Sequence, residues 1–142
     1  MFGKLFGKRE RPKYNADRKT MEAALKERCI PMLRKQGFQG SFPNFYREVD
    51  GFVALVNFQF FSAGGSFCVN LGYADPDRRN VHFDPDAVTS RLRVSATNDQ
   101  RRLGQMDGGD RWFSFGETSY GVFRQEPSSP TEISETCAEL FV

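Results

Sequence analysis

A chain of 142 residues, 39% hydrophobic and 14% aromatic, is the size of one domain and carries enough large side chains to offset the entropy of ordering, which excludes a disordered chain. The net charge of +2 is unevenly placed, with +5 on residues 1–19 and −3 on the rest. Cys29, Cys68 and Cys137 are odd in number and widely spaced, which excludes a disulfide framework and a zinc knuckle, and the longest apolar run, Phe52 to Val56, falls far short of the roughly 20 residues of a membrane span. Buried thiols and a reducing, cytoplasmic setting are the expectation.

The chain opens on "MFGKLFGKRERPK", in which Phe2, Leu5 and Phe6 alternate with Lys4, Lys8, Arg9, Arg11 and Lys13. Gly3 and Gly7 weaken a helix there, so residues 1–14 read as a basic flexible tail ahead of a single α+β domain at 15–142. Contact of residues 1–13 with an anionic membrane or nucleic acid is the chemical alternative to a solvated terminus.

From 17 to 36, Met21, Leu25, Cys29, Met32 and Leu33 fall on one stripe at helical spacing. Asp17 is the predicted N-cap and Gly37 the stop. Pro31 lies inside the pattern, where its missing N–H predicts a kink or a restart near Ile30.

The period then changes to two. "NFYREVDGFVALVNFQFF" reads as two strands joined at Asp50-Gly51, a turn pair that tolerates positive φ, and "SFCVNLGY" follows "SAGG" as a third strand of an antiparallel meander. Pleating puts Phe45, Val49, Phe52, Val56, Phe58, Phe60, Phe67, Val69, Leu71 and Tyr73 on one face, the predicted core against the helices. The other face carries Tyr46, Glu48, Val53, Leu55, Asn57, Gln59, Cys68, Asn70 and Gly72. That mixture predicts either a partial second layer or a concave face that meets a partner or a ligand. A short Gly-Gly turn would set Gln59 opposite Asn70 with Asn57 one step along.

Farther on, "FDPDAVTSRLRVS" reads as a short helix capped by Asp84 with Pro85 first, or as a strand around Leu92 to Val94. Asp107 to Asp110 is a predicted turn, Arg111 to Phe115 a strand, and Gly116 to Gln125 extended. "SSPTEISETCAELFV" holds a capping box on Ser129 and Glu132 with Pro130 at the first helical position, and Ile133, Cys137, Leu140 and Phe141 form the apolar stripe of a C-terminal helix. The fold class is α+β: a mostly antiparallel meander sheet with a Pro-kinked N-terminal helix and a C-terminal helix on one face.

Chemistry-bearing motifs are scarce. His82, Asp84 and Asp86 could begin a metal site, but Asp84 is better used as a cap, so no metal is expected. Neither a phosphate loop nor a nucleophile motif occurs, and no cofactor is implied. Arg91, Arg93, Arg101 and Arg102 cluster in sequence, and Arg102 with Trp112 could frame a pocket. The candidate binding residues are therefore Asn57, Gln59, Asn70, Arg102 and Trp112, read either as a site or as an amide ladder that satisfies itself.

At "GFQGSFPNFYREV", "VNFQFFSAGGSFCVNLGY", "RRLGQM" and "DRWF" the chain resembles an uncharacterised bacterial family, domain of unknown function 4304. Gly37-Phe38, Phe45-Tyr46-Arg47, Asn57-Phe58-Gln59, Asn70-Leu71-Gly72 and Arg102-Leu103-Gly104 carry the likeness. Trp112-Phe113 stands where a tryptophan pair is usual, and no cysteine precedes the arginine segment. The resemblance implies no reaction; by analogy it allows an immunity-like or accessory role. The leading expectation is non-catalytic binding of another protein, and the alternative is a small-ligand or enzymatic site at the amides.

Overall fold

The computed structural model describes residues 2–61, 65–104, 113–115 and 130–140. Helix α1 spans Phe2–Lys35 and so begins well before the expected cap at Asp17, which lies inside it. Lys8, Arg9, Glu10, Arg11 and Lys13 are good helix formers, but Gly3, Gly7 and Pro12 are not, so propensity alone does not account for the first turns. The helix passes Pro31 as one element rather than restarting. Its predicted stripe is buried at Met21, Leu25, Cys29 and Leu33. Among the described residues no helix is long and apolar enough to cross a membrane.

The remaining elements form a six-stranded, mostly antiparallel sheet and a second helix. Strands β1 (Gln39–Ser41), β2 (Asn44–Val49), β3 (Phe52–Phe60), β4 (Ser66–Ala74) and β5 (Arg101–Arg102) lie in that order, and β6 (Phe113–Ser114) pairs with β4. Helix α2 spans Pro130–Leu140, with Pro130 at its start as expected. The α+β class and the meander follow the sequence reading. The expected cap Ser129, the turn at 107–110, the stretch at 116–125 and the terminal Phe141 lie outside the described residues.

The chain divides into two compact units, Met1–Pro31 with Phe60–Phe67 and Trp112–Val142, and Met32–Gln59 with Cys68–Arg111. In the first, aromatic rings supply the core. Phe67 is stacked on Phe60 at 5.3 Å and on Phe113 at 5.0 Å, with Phe115 edge-on to Phe60 at 5.8 Å. Phe67 and Phe115 are fully buried, each worth roughly 2–3 kcal/mol of burial. Cys29 Sγ donates to the Ser134 carbonyl at 3.5 Å and Arg28 meets Glu135 at 3.4 Å, so α2 is tied to α1.

In the second unit, α1 ends as predicted. Gly37 adopts φ 89°, the Phe38 N–H donates to the Leu33 carbonyl and the Gly37 N–H to the Arg34 carbonyl, both at 3.0 Å, which is the Schellman arrangement with Leu33 and Phe38 buried beside it. Strands β2 and β3 join at Asp50 (φ 54°) and Gly51 (φ 85°), and Val49 pairs with Phe52 as the two-residue turn requires.

The predicted core face is buried only in part. Phe45, Val56, Phe58 and Val69 are buried, whereas Val49 and Phe52, each 46% exposed, and Tyr73 are not. Arg34 of the last helical turn lies over the Phe45 ring at 5.5 Å, and Phe42 packs on Phe58 at 5.2 Å. Val49 is four residues along the strand from Phe45, about 13 Å at the extended rise, beyond that cover.

The mixed face gains a partial second layer. Val53 and Leu55 are buried under Val81, Leu92, Val94 and Ala96, with Ala74 in the same cluster. The covering segment is neither the predicted helix from Asp84 nor a strand at Leu92 to Val94, but two 3-10 turns, Thr89–Arg91 and Val94–Ala96. Asp84 has φ 51°, which removes it from cap geometry, and its carbonyl closes a tight turn with Ala87 N–H at 3.1 Å. The segment is held down by Thr89 Oγ1 donating to Glu48 at 2.6 Å and by a bridge between Val81 and Thr97.

Candidate functional site

The covered part of this face ends at Leu55. Beyond it the sheet presents one polar residue from each of four neighbouring strands. Asn44 pairs with Asn57 in the β2–β3 register, and Asn70 pairs with Arg102 in the β4–β5 register. Their side chains join in a row: Arg102 Nε donates to Asn70 Oδ1 at 3.0 Å, Asn70 Nδ2 to Asn57 Oδ1 at 3.1 Å, and Asn57 Nδ2 to Asn44 Oδ1 at 2.9 Å. Asn70 Nδ2 also reaches Gln59 Oε1 at 2.9 Å. The buried Cys68 thiol lies behind them, 3.8 Å from Gln59 Oε1 and 3.7 Å from Asn70 Oδ1.

Four of the five predicted site residues, Asn57, Gln59, Asn70 and Arg102, are therefore together. The link in the row is Asn57 rather than Gln59, which replaces the expected pairing of Gln59 opposite Asn70. Trp112 lies outside the described residues.

Above the row the turn at Arg93, Val94 and Ser95, with Gln100, walls a cavity of about 360 Å³ whose floor is Asn44, Asn57, Gln59, Asn70 and Arg102. That volume is within the range of small-ligand pockets, about 300–1,000 Å³. Thr97, almost fully buried, donates through Oγ1 to the Val94 carbonyl at 2.8 Å, and Gln100 Nε2 donates to the Thr97 carbonyl at 2.9 Å, so the wall is braced by its own hydrogen bonds. Arg93 is anchored by two bonds from Nη1, to the Ser90 carbonyl at 3.0 Å and the Leu92 carbonyl at 2.9 Å.

Asn44, Arg93, Ser95 and Gln100 were not among the predicted residues. Asn44 was within reach: counting back from the Asp50-Gly51 turn places it opposite Asn57. Arg93 stood out in the sequence only as part of the arginine cluster, and Ser95 and Gln100 come from a segment without regular period, where spacing carries no signal.

A larger cavity, about 690 Å³, is lined by Leu71, Gly72, Tyr73, Asn98, Asp99 and neighbouring residues. Its one displaced titration belongs to Tyr73, whose pKa is raised by its hydrogen bond to Asp99 (3.2 Å), by the charge of that carboxylate, and by smaller contributions from desolvation and Asp75. A phenol moved farther from neutrality is poorly placed for proton transfer, so size alone does not make this the site. His82, once a possible ligand, bonds through Nδ1 to Asn98 Oδ1 at 2.9 Å, and no group of three metal-holding side chains occurs among the described residues.

Neither a curated protein nor a solved structure matches the chain. The profile of the family described as Domain of unknown function (DUF4304) matches residues 29–119, a span that contains the whole floor of the cavity and its wall at Arg93, Val94, Ser95 and Gln100. The chain belongs to the DUF4304 family.

Proposed function

We propose that the protein is a non-catalytic binding module of the accessory kind, acting through the cavity over the amide row. The cavity itself carries this reading: about 360 Å³ between a polar floor and a braced wall favours a ligand group that enters over a flat face-to-face contact. The lining side chains are amides, guanidinium groups, a hydroxyl and a valine, which hold and orient but do not exchange protons near neutral pH. A partner protein, the leading expectation from the sequence, would engage this site through one projecting group. Three buried thiols outside any disulfide support a reducing, cytoplasmic setting.

The test is a thermal-shift screen with a library of anionic, neutral and cationic small molecules and short peptides, run on the wild-type chain and on the double variant Asn57→Ala/Asn70→Ala. Binding to the native state raises Tm by mass action, so at least one class should raise it in the wild type and not in a folded double variant. A screen in which no class separates the two proteins rejects the reading.

A further inference from the structure

Resting on that reading, we infer that the pocket takes an oxyanion, a carboxylate or a phosphate group. The Arg102 guanidinium has donors and no acceptor. Its bond to Asn70 Oδ1 at 3.0 Å therefore fixes which way that amide faces. Asn70 must turn its NH₂ to the other side, where Asn57 Oδ1 and Gln59 Oε1 accept it at 3.1 and 2.9 Å. Asn57 in turn offers its NH₂ to Asn44 Oδ1 at 2.9 Å. One arginine thus sets the polarity of every amide in the row.

The consequence lies in what is left over. The side-chain oxygens of Asn44, Asn57, Gln59 and Asn70 are all occupied by neighbours, and the Cys68 thiol adds a further contact to two of them. Among the described residues the NH₂ groups of Asn44 and Gln59 meet no acceptor and remain for a ligand. Arg93 and Arg102 add positive charge to the lining, and among the described residues no Asp or Glu belongs to it. Ser95 and the oxygen of Gln100 keep acceptor capacity, and the two amide NH₂ groups and two guanidinium groups outnumber them. A cavity rich in donors and cations favours a ligand rich in acceptors and negative charge, with charge-assisted bonds as the main attraction.

Side-chain amide signals of the ¹⁵N-labelled protein provide the test, titrated with acetate, inorganic phosphate, acetamide and guanidinium, and with a short peptide bearing a free or an amidated C-terminus. Acetate or phosphate should shift the Asn44 and Gln59 NH₂ signals saturably while acetamide, the same shape without charge, does not. A response to the free-carboxylate peptide but not the amidated one identifies a chain end as the source; a response to phosphate alone identifies a phosphoester. Arg102→Met should weaken the effective anion by about tenfold or more. Should that variant not fold, Arg93→Met, at an exposed side chain, carries the same expectation. Saturable shifts with acetamide or guanidinium in place of the anions overturn the ligand class and leave the cavity a binding site. Silence of these amides toward every probe overturns the inference, and the wider library screen then decides separately whether the cavity binds anything.

Discussion

Gly72 lies directly beneath Thr97: a Cβ built on it would stand 2.9 Å from Thr97 Oγ1 and 3.1 Å from Val94 Cγ1. The hydroxyl cannot swing aside without losing its bond to the Val94 carbonyl, so the absence of a side chain at this point of β4 lets the pocket wall rest on the sheet. Gly72→Ala should therefore destabilise the protein by about 1–3 kcal/mol through overpacking. The midpoint of urea unfolding reads the change, and a variant as stable as the wild type would remove Gly72 from the account of the wall.

Phe67 and Phe83 provide a contrast between two rings of equal size. Phe67 is fully buried between Phe60 and Phe113, whereas Phe83 is 72% exposed. Phe67→Ala should cost about 3–5 kcal/mol and Phe83→Ala no more than about 0.5 kcal/mol. Equal losses in denaturant melts would contradict the aromatic core of the first unit.

Tyr73 should titrate above its ordinary value of 10.0, since ionising it breaks its bond to Asp99 and brings two negative charges together. With the folded pKa above the unfolded one, the stabilisation is fully present below pH 10.0 and is lost as pH rises through the folded pKa. Tyrosinate absorbance follows the transition. Asp99→Asn should bring the Tyr73 component back toward 10.0, and an unchanged curve would show that the carboxylate is not the cause.

Cys29, Cys68 and Cys137 are each fully buried, so a thiol reagent should reach them only when the structure opens. The native protein should label slowly, and denaturant should release three thiols per chain at once. A fast-reacting thiol under native conditions would place one of these side chains at the surface.

Local rules made much of this molecule readable. The stripe of α1, its stop at Gly37, the Asp50-Gly51 turn and the start of α2 at Pro130 each depend on residues close in sequence. Asn57, Gln59 and Asn70 were found because alternation in two adjacent strands is also nearly local. The exposure of Val49 and Phe52 was not readable, because pleating says which face a residue takes and not how far the cover extends. The wall at 93–95 was hidden for a different reason: it consists of 3-10 turns held by Thr97 and Gln100, and it meets the sheet through Gly72, a long-range contact that leaves no periodic mark.

The bond from Cys29 to the Ser134 carbonyl spans 105 residues of chain. During synthesis at about 5–20 residues per second, Cys29 therefore waits roughly 5–20 s for Ser134 to be made. For that interval the contact between the first and last helices is missing, so the first unit closes only after the C-terminal segment has been made.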